Sequence, residues 1–136
     1  MTSVADHDIE TTDGRVVAIA GPVVDVEFPP NSLPEINFVV EMDIDFEETK
    51  QTIEAEVAQQ IGEGRVRCVC LKPTDGLRRG TAVRNMGHGI TVPVGNAVLG
   101  HVFNVTGRPL DVDKVEGVDE RWEIHRPAPD FDELEP

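Results

Sequence analysis

Tyrosine is absent from these 136 residues, tryptophan occurs once, at Trp122, and phenylalanine only five times. Proteins that hold single-stranded nucleic acid stack bases on aromatic rings and track the backbone with a basic groove. With few rings and a formal net charge of −14, this chain suits neither nucleic acid nor an anionic membrane surface. No run approaches the ~20 consecutive apolar residues of a membrane-spanning helix. Cysteine is scarce as well, with only Cys68 and Cys70, in RVRCVCL. On a strand these two point to one face with parallel side chains, a poor geometry for a disulfide. The four histidines, His7, His88, His101 and His125, are scattered and supply no zinc-ligand spacing. Buried strand thiols in a reducing compartment are the expectation.

The acids that are present sit at the ends. Residues 1–13 hold four acids and no Lys or Arg, and residues 111–136 hold ten acids against Lys114, Arg121 and Arg126. The middle is nearly balanced. The acidic start has no apolar run, so it reads as a disordered leader over 1–13 and not as a secretory signal or transit peptide.

From Gly14 to about Gly87 the pattern is β. GRVVAIAG and PVVDVEFP are β-branched runs divided by Gly21-Pro22, a bend. Val24, Val26 and Phe28 alternate with Asp25 and Glu27. Val40, Met42, Ile44 and Phe46 alternate with Glu41, Asp43, Asp45 and Glu47, which is the period of a half-exposed strand. After a turn at Glu47-Glu48-Thr49-Lys50, Ile53, Ala55 and Val57 continue opposite Glu54 and Glu56. RVRCVCL follows the Gly62-Glu63-Gly64 turn, and TAVRNMG follows the loop PTDGLRRG. Six short strands with this turn spacing close readily into a small barrel, because closure removes open edges.

Past Gly95 the period changes. Val98, Val102 and Val105, widened by Leu99 and Phe103, predict a helix of two to three turns with Asn96 as N-cap and Gly107 as stop. The segment after it has no sustained period and few apolar anchors, and reads as the opening of a second domain.

Several stretches invite a chemical reading. MGHGITVPVGNAVLG, Met86 to Gly100, has the glycines of a phosphate loop. That loop needs GxxxxGK[ST], whose lysine reaches the phosphates and whose hydroxyl holds magnesium. Here five residues separate Gly89 from Gly95, Asn96 and Ala97 replace the lysine and the hydroxyl, and Pro93 removes a backbone donor. Turn glycines are the simpler account. Asp43, Asp45, Glu47 and Glu54 match an EF-hand register, but Glu48 stands where the calcium loop needs glycine, so a solvated strand face is expected. Arg78-Arg79 could grip a carboxylate or phosphate, or contact a partner. His125-Arg126 lies in an extended stretch before Pro127, suited to packing and not to catalysis. No arrangement of nucleophile, base and orienting group goes beyond the letters themselves.

Taken together, GRVVAIAGPVVDVEFP, LPEI, EVAQQIGEGRVRCVCLKPTDGLRRG, ITVPVGNAVLGHVFNVTGRPLD and WEIHRPAPDFDELEP resemble the β subunits of F-type ATP synthases, over roughly residues 14–136. GPVVDVEF, TDGLRRG, VPVG and IHRPAP point to β and away from the related α subunit. Two features depart from the pattern. INFVVEMDIDFEETKQTI lacks the family's N-A-L-like segment, and GRVRCVCLKP carries two cysteines.

The resemblance implies an all-β start: a closed six-stranded small β-barrel over 14–90. A short helix and an irregular segment over 91–136 would then begin an incomplete α/β nucleotide-binding domain. It implies that the family's phosphate loop, catalytic glutamate and magnesium ligands lie later in the chain. No catalytic, cofactor-binding or metal residue is therefore expected here, although the parent subunit would bind ATP or ADP with Mg. Barrels of α-type and β-type subunits would alternate in a hexamer, without nucleic acid and without direct membrane insertion, peripheral to the cytoplasmic face of the cell membrane. The competing expectation is a free-standing small barrel that works by binding.

Overall fold

The computed structural model describes residues 14–135; the leader expected over 1–13 lies outside them. Period-two alternation builds the first unit. β1 (Gly14–Ala20), β2 (Val23–Glu27), β3 (Phe38–Phe46), β4 (Thr49–Gly62), β5 (Arg65–Cys70) and β6 (Ala82–Gly89) form a closed barrel in the order β1-β2-β5-β4-β3-β6. The ring closes where β6 returns to β1, with Gly14 opposite Val83 and Arg15 opposite Ala82. The six-stranded barrel read from the pattern is the barrel observed.

Every second residue points inward. Val24 and Val26 of β2, Val40, Met42 and Ile44 of β3, Ile53, Ala55 and Val57 of β4, and Val66 and Cys68 of β5 pack into one core with Val16 and Val83. Register slips between Val16 and Ala18 in β1, and between Val57 and Gln59 in β4, let the strands bend around so small a ring. Gly14 is required by closeness: a Cβ there would meet the Phe28 ring and Val26 at 2.8 Å. The β3–β4 hairpin turns on Glu47 and Glu48, both with positive φ (50° and 64°). This mirror-image turn matches strand twist, at a cost on the order of 1 kcal/mol for each non-glycine residue. Leu77, in the loop over 71–81, is buried with the core.

The chain divides into two compact units, the second beginning at Gly89. In it, β7 (Thr91–Val94) and β8 (Glu120–Glu123) make a two-stranded antiparallel sheet in which Val92 faces Trp122. The Ile124 N–H donates to the Ile90 carbonyl at 2.9 Å. Between these strands the expected helix of two to three turns is not formed. A single 3-10 turn, Asn96–Val98, takes its place, with Gly95 and not Asn96 at the cap position. Leu99 is already extended, and Gly100 has φ 80°, a left-handed angle that ends a right-handed helix. The chain then doubles back. Phe103 bridges Pro109, and the Leu110 N–H donates to the Val102 carbonyl at 2.8 Å. Asn104 Oδ1 accepts from the N–H groups of Thr106 (3.1 Å) and Arg108 (2.9 Å), the local competition by which Asn disfavours helix interiors. Gly107 is a turn residue at φ 74°, and a Cβ on it would lie 2.6 Å from the Thr91 carbonyl oxygen.

Candidate functional site: the charged outer wall of the barrel

The Met86–Gly100 stretch is strand and turn. It holds the end of β6, all of β7 and the 3-10 turn. Two of its glycine N–H groups are engaged by side chains of the protein itself. Gly87 donates to the Asn85 side-chain oxygen at 3.0 Å, and Gly89 donates to the Glu123 carboxylate at 3.3 Å. A carboxylate at that spot repels phosphate. With Asn96 and Ala97 in place of the lysine and hydroxyl, these residues do not fit the phosphates of ATP or a magnesium ion.

The two thiols share the inner face of β5, as the alternation requires, and both are buried. Burial pushes Cys68 up to about 12, with smaller contributions from Cys70 and Asp25, and pushes Cys70 up to about 11. At neutral pH neither is a thiolate, so neither is an activated nucleophile. The EF-hand register does not converge on a centre either: among the described residues no three His, Cys, Asp or Glu side chains come together to hold a metal. In the second unit, the Arg126 guanidinium lies 3.5 Å from the centre of the Trp122 ring, a cation–π contact. His125, next to Arg126 in the sequence, is exposed. The composition did not reveal that His101 Nδ1 sits 2.8 Å from Asp111 Oδ2, a contact that holds Asp111 below the usual carboxylate range.

On the barrel's outer wall, charges pair across neighbouring strands. Asp25 faces Arg67 and Glu27 faces Arg65. Arg67 binds Asp25 through two bonds of 2.8 and 3.0 Å, and Arg65 donates to Glu27 at 3.0 Å. Arg84 of β6 reaches two carboxylates of β3, Asp43 (3.2 Å to Oδ1) and Glu41 (3.3 Å). Thr52 adds a bond to Asp43 at 2.8 Å. Hydrogen bonds from Arg84 and then Thr52 hold Asp43 down to about 2. One alternation-based assignment fails here. Alternation puts Glu54 on the wet face, yet it is 2% exposed, with Lys72 Nζ 3.1 Å from its carboxylate. Lys72 also donates to the Thr52 carbonyl at 2.9 Å. Period two gives the face of a residue but not what lies over that face, and Lys72 comes from a loop 18 positions downstream.

Arg78 and Arg79 are exposed. An open groove of about 630 Å³, lined by Arg15, Glu27, Phe28, Pro29, Leu33 and Glu63 among others, brings no nucleophile and base together. The barrel therefore has a packed interior, a cross-paired wall and an exposed arginine pair. Residues 16–87, just over half of the chain, match the family model described as the ATP synthase alpha/beta family, beta-barrel domain.

Proposed function

The chain belongs to the ATP synthase alpha/beta family, and we propose that it is the N-terminal portion of a β-type, catalytic subunit whose barrel serves assembly of the subunit ring. The observation that carries this is the barrel itself. Its interior is filled by side chains from all six strands, so it offers shape and surface and no reaction chamber. GPVVDVEF, TDGLRRG, VPVG and IHRPAP support the β assignment over α. The partners are α-type subunits, alternating with β-type subunits in a hexamer.

In this reading the parent complex makes ATP from ADP and phosphate using a transmembrane ion gradient. It works peripherally at the cytoplasmic face of the cell membrane. ATP or ADP and Mg are held by other parts of the parent subunit, and the residues described here act by holding the ring together while those parts change shape.

The test is to mix the chain with the α-type subunit of the same complex and follow association by native mass spectrometry and sedimentation. The expected result is a hetero-complex with little self-association. A stable monomer indifferent to the α-type subunit overturns the assembly role and favours a free-standing binding module.

A further inference from the structure

We propose that Arg78 and Arg79 form a carboxylate-gripping contact through which the barrel engages the neighbouring α-type subunit; this rests on the assembly reading above. The other arginines along strands β5 and β6 are committed at home: Arg65 to Glu27, Arg67 to Asp25, Arg84 to Asp43 and Glu41. Arg78 and Arg79 have no carboxylate partner among the described residues, although the chain carries 26 acids against 12 bases. Two positive charges on consecutive exposed residues favour carboxylates supplied from outside.

The loop is built to hold them still. Leu77, next to Arg78, is anchored in the core, and its N–H donates to the Thr74 carbonyl at 3.0 Å. The Thr81 hydroxyl donates to the Arg78 carbonyl at 2.7 Å. The Gly80 N–H donates to the Val16 carbonyl at 2.8 Å, tying the loop to β1. Thr74 donates its hydroxyl hydrogen to the Gly21 carbonyl at 2.9 Å. A backbone fixed before binding leaves only two side chains to order, which lowers the entropic cost of the contact. The planar fork of each guanidinium suits a carboxylate in two-point contact. The chain's negative field opposes a ligand in proportion to that ligand's charge, so single carboxylates set in a folded surface are favoured over polyphosphates.

The test titrates the α-type subunit with the wild-type chain and with variants that keep the wild-type Tm. Arg78→Glu/Arg79→Glu is expected to weaken association ~100-fold or more, and Arg78→Ala/Arg79→Ala ~10-fold, in the range of interface arginines. Arg78→Lys/Arg79→Lys, which keeps charge but loses the fork, is expected between wild type and the alanine pair. Raising salt should weaken the wild type more than the alanine variant. Unchanged affinity in the charge-reversed variant overturns this contact while leaving the assembly reading intact. Failure of the wild type to bind at all overturns both. Loss of tripolyphosphate binding in the charge-reversed variant, with subunit affinity unchanged, also overturns the contact and makes the pair an anion site.

Discussion

In the barrel, Val24, Val26, Val40, Met42 and Val66 are sealed completely, whereas past Gly89 the side chains of Leu99, Val105 and Phe131 stand 73, 70 and 91% exposed. Both units have valines in number and both make β-structure. What separates them is closure. Six strands paired edge to edge leave no open hydrogen-bonding rim and enclose one core. Two strands paired only with each other keep two outer edges and enclose nothing, which is why isolated ribbons are marginal in water. Ile90 is the buried large hydrophobic of the second unit, and its order comes from turn chemistry: the Asn104 carbonyl cap, Gly107 fitted against Thr91, and Arg121 donating to the Thr91 side chain and carbonyl at 3.0 and 3.1 Å.

The two units differ most in the barrel core. Met42→Ala removes the largest fully buried side chain and should cost 2–5 kcal/mol, about the range for Met-to-Ala in a packed interior. Urea denaturation followed by far-UV dichroism measures it. A loss under ~1 kcal/mol would show that the barrel is loosely filled and that the two units differ less than their burial indicates. Next in size is Cys68→Ser, which keeps the volume but buries a hydroxyl among apolar groups, at ~1–3 kcal/mol. The same thiols supply a second readout. With Cys68 at about 12 and Cys70 at about 11, a thiol reagent at pH 8 should label neither until the barrel unfolds. Labelling of folded protein at the rate of a free thiol would mean that the wall opens.

The difference between the units also marks where reading from sequence succeeds. In the barrel, alternation and turn residues agree, so Val24/Val26 against Asp25/Glu27 and Val40/Met42/Ile44 against Glu41/Asp43/Asp45 gave the faces directly, and strand number followed. Past Gly95 the same method misled. Val98, Val102 and Val105 fall at helical spacing, but spacing drives a helix only when there is a surface to bury the stripe against. Here Gly100 and Asn104 decided the backbone instead. β8 went unread because its four residues are all exposed, so no alternation marks them. On the wall, arginines and acids were visible as letters, but their pairing needs the register: Arg84 meets Asp43 only because β6 lies beside β3 in the closed order. Arg78-Arg79 was legible as a pair, and the absence of a carboxylate partner for it among the described residues was not.

A smaller effect tests that wall. Asp43 is held at about 2 against an ordinary 3.8, so it binds its proton less readily folded than unfolded. Such a group adds stability above pH ~4 and loses it as pH falls toward 2. Because Asp43 is exposed, solvent screening keeps the contribution under ~1 kcal/mol. Asp43→Asn should therefore lower stability slightly at pH 7, and the gap from wild type should close between pH 4 and 2. A gap that persists at pH 2 would assign the loss to packing and not to the charge on Asp43.

The least sensitive position is expected at Leu99, in the second unit. Leu99→Ser changes a large apolar side chain to a small polar one, a swap that in a barrel core would be severe. At 73% exposure there is little apolar area to lose, and the position follows a 3-10 turn with no buried residues. The expected change in the barrel's unfolding free energy is within ~0.5 kcal/mol. In the presence of the α-type subunit the stability should be just as unmoved, since the proposed contact lies on the barrel's Arg78–Arg79 loop. A loss above ~1 kcal/mol in the isolated chain would mean that Leu99 is covered in solution and that the second unit has a core of its own.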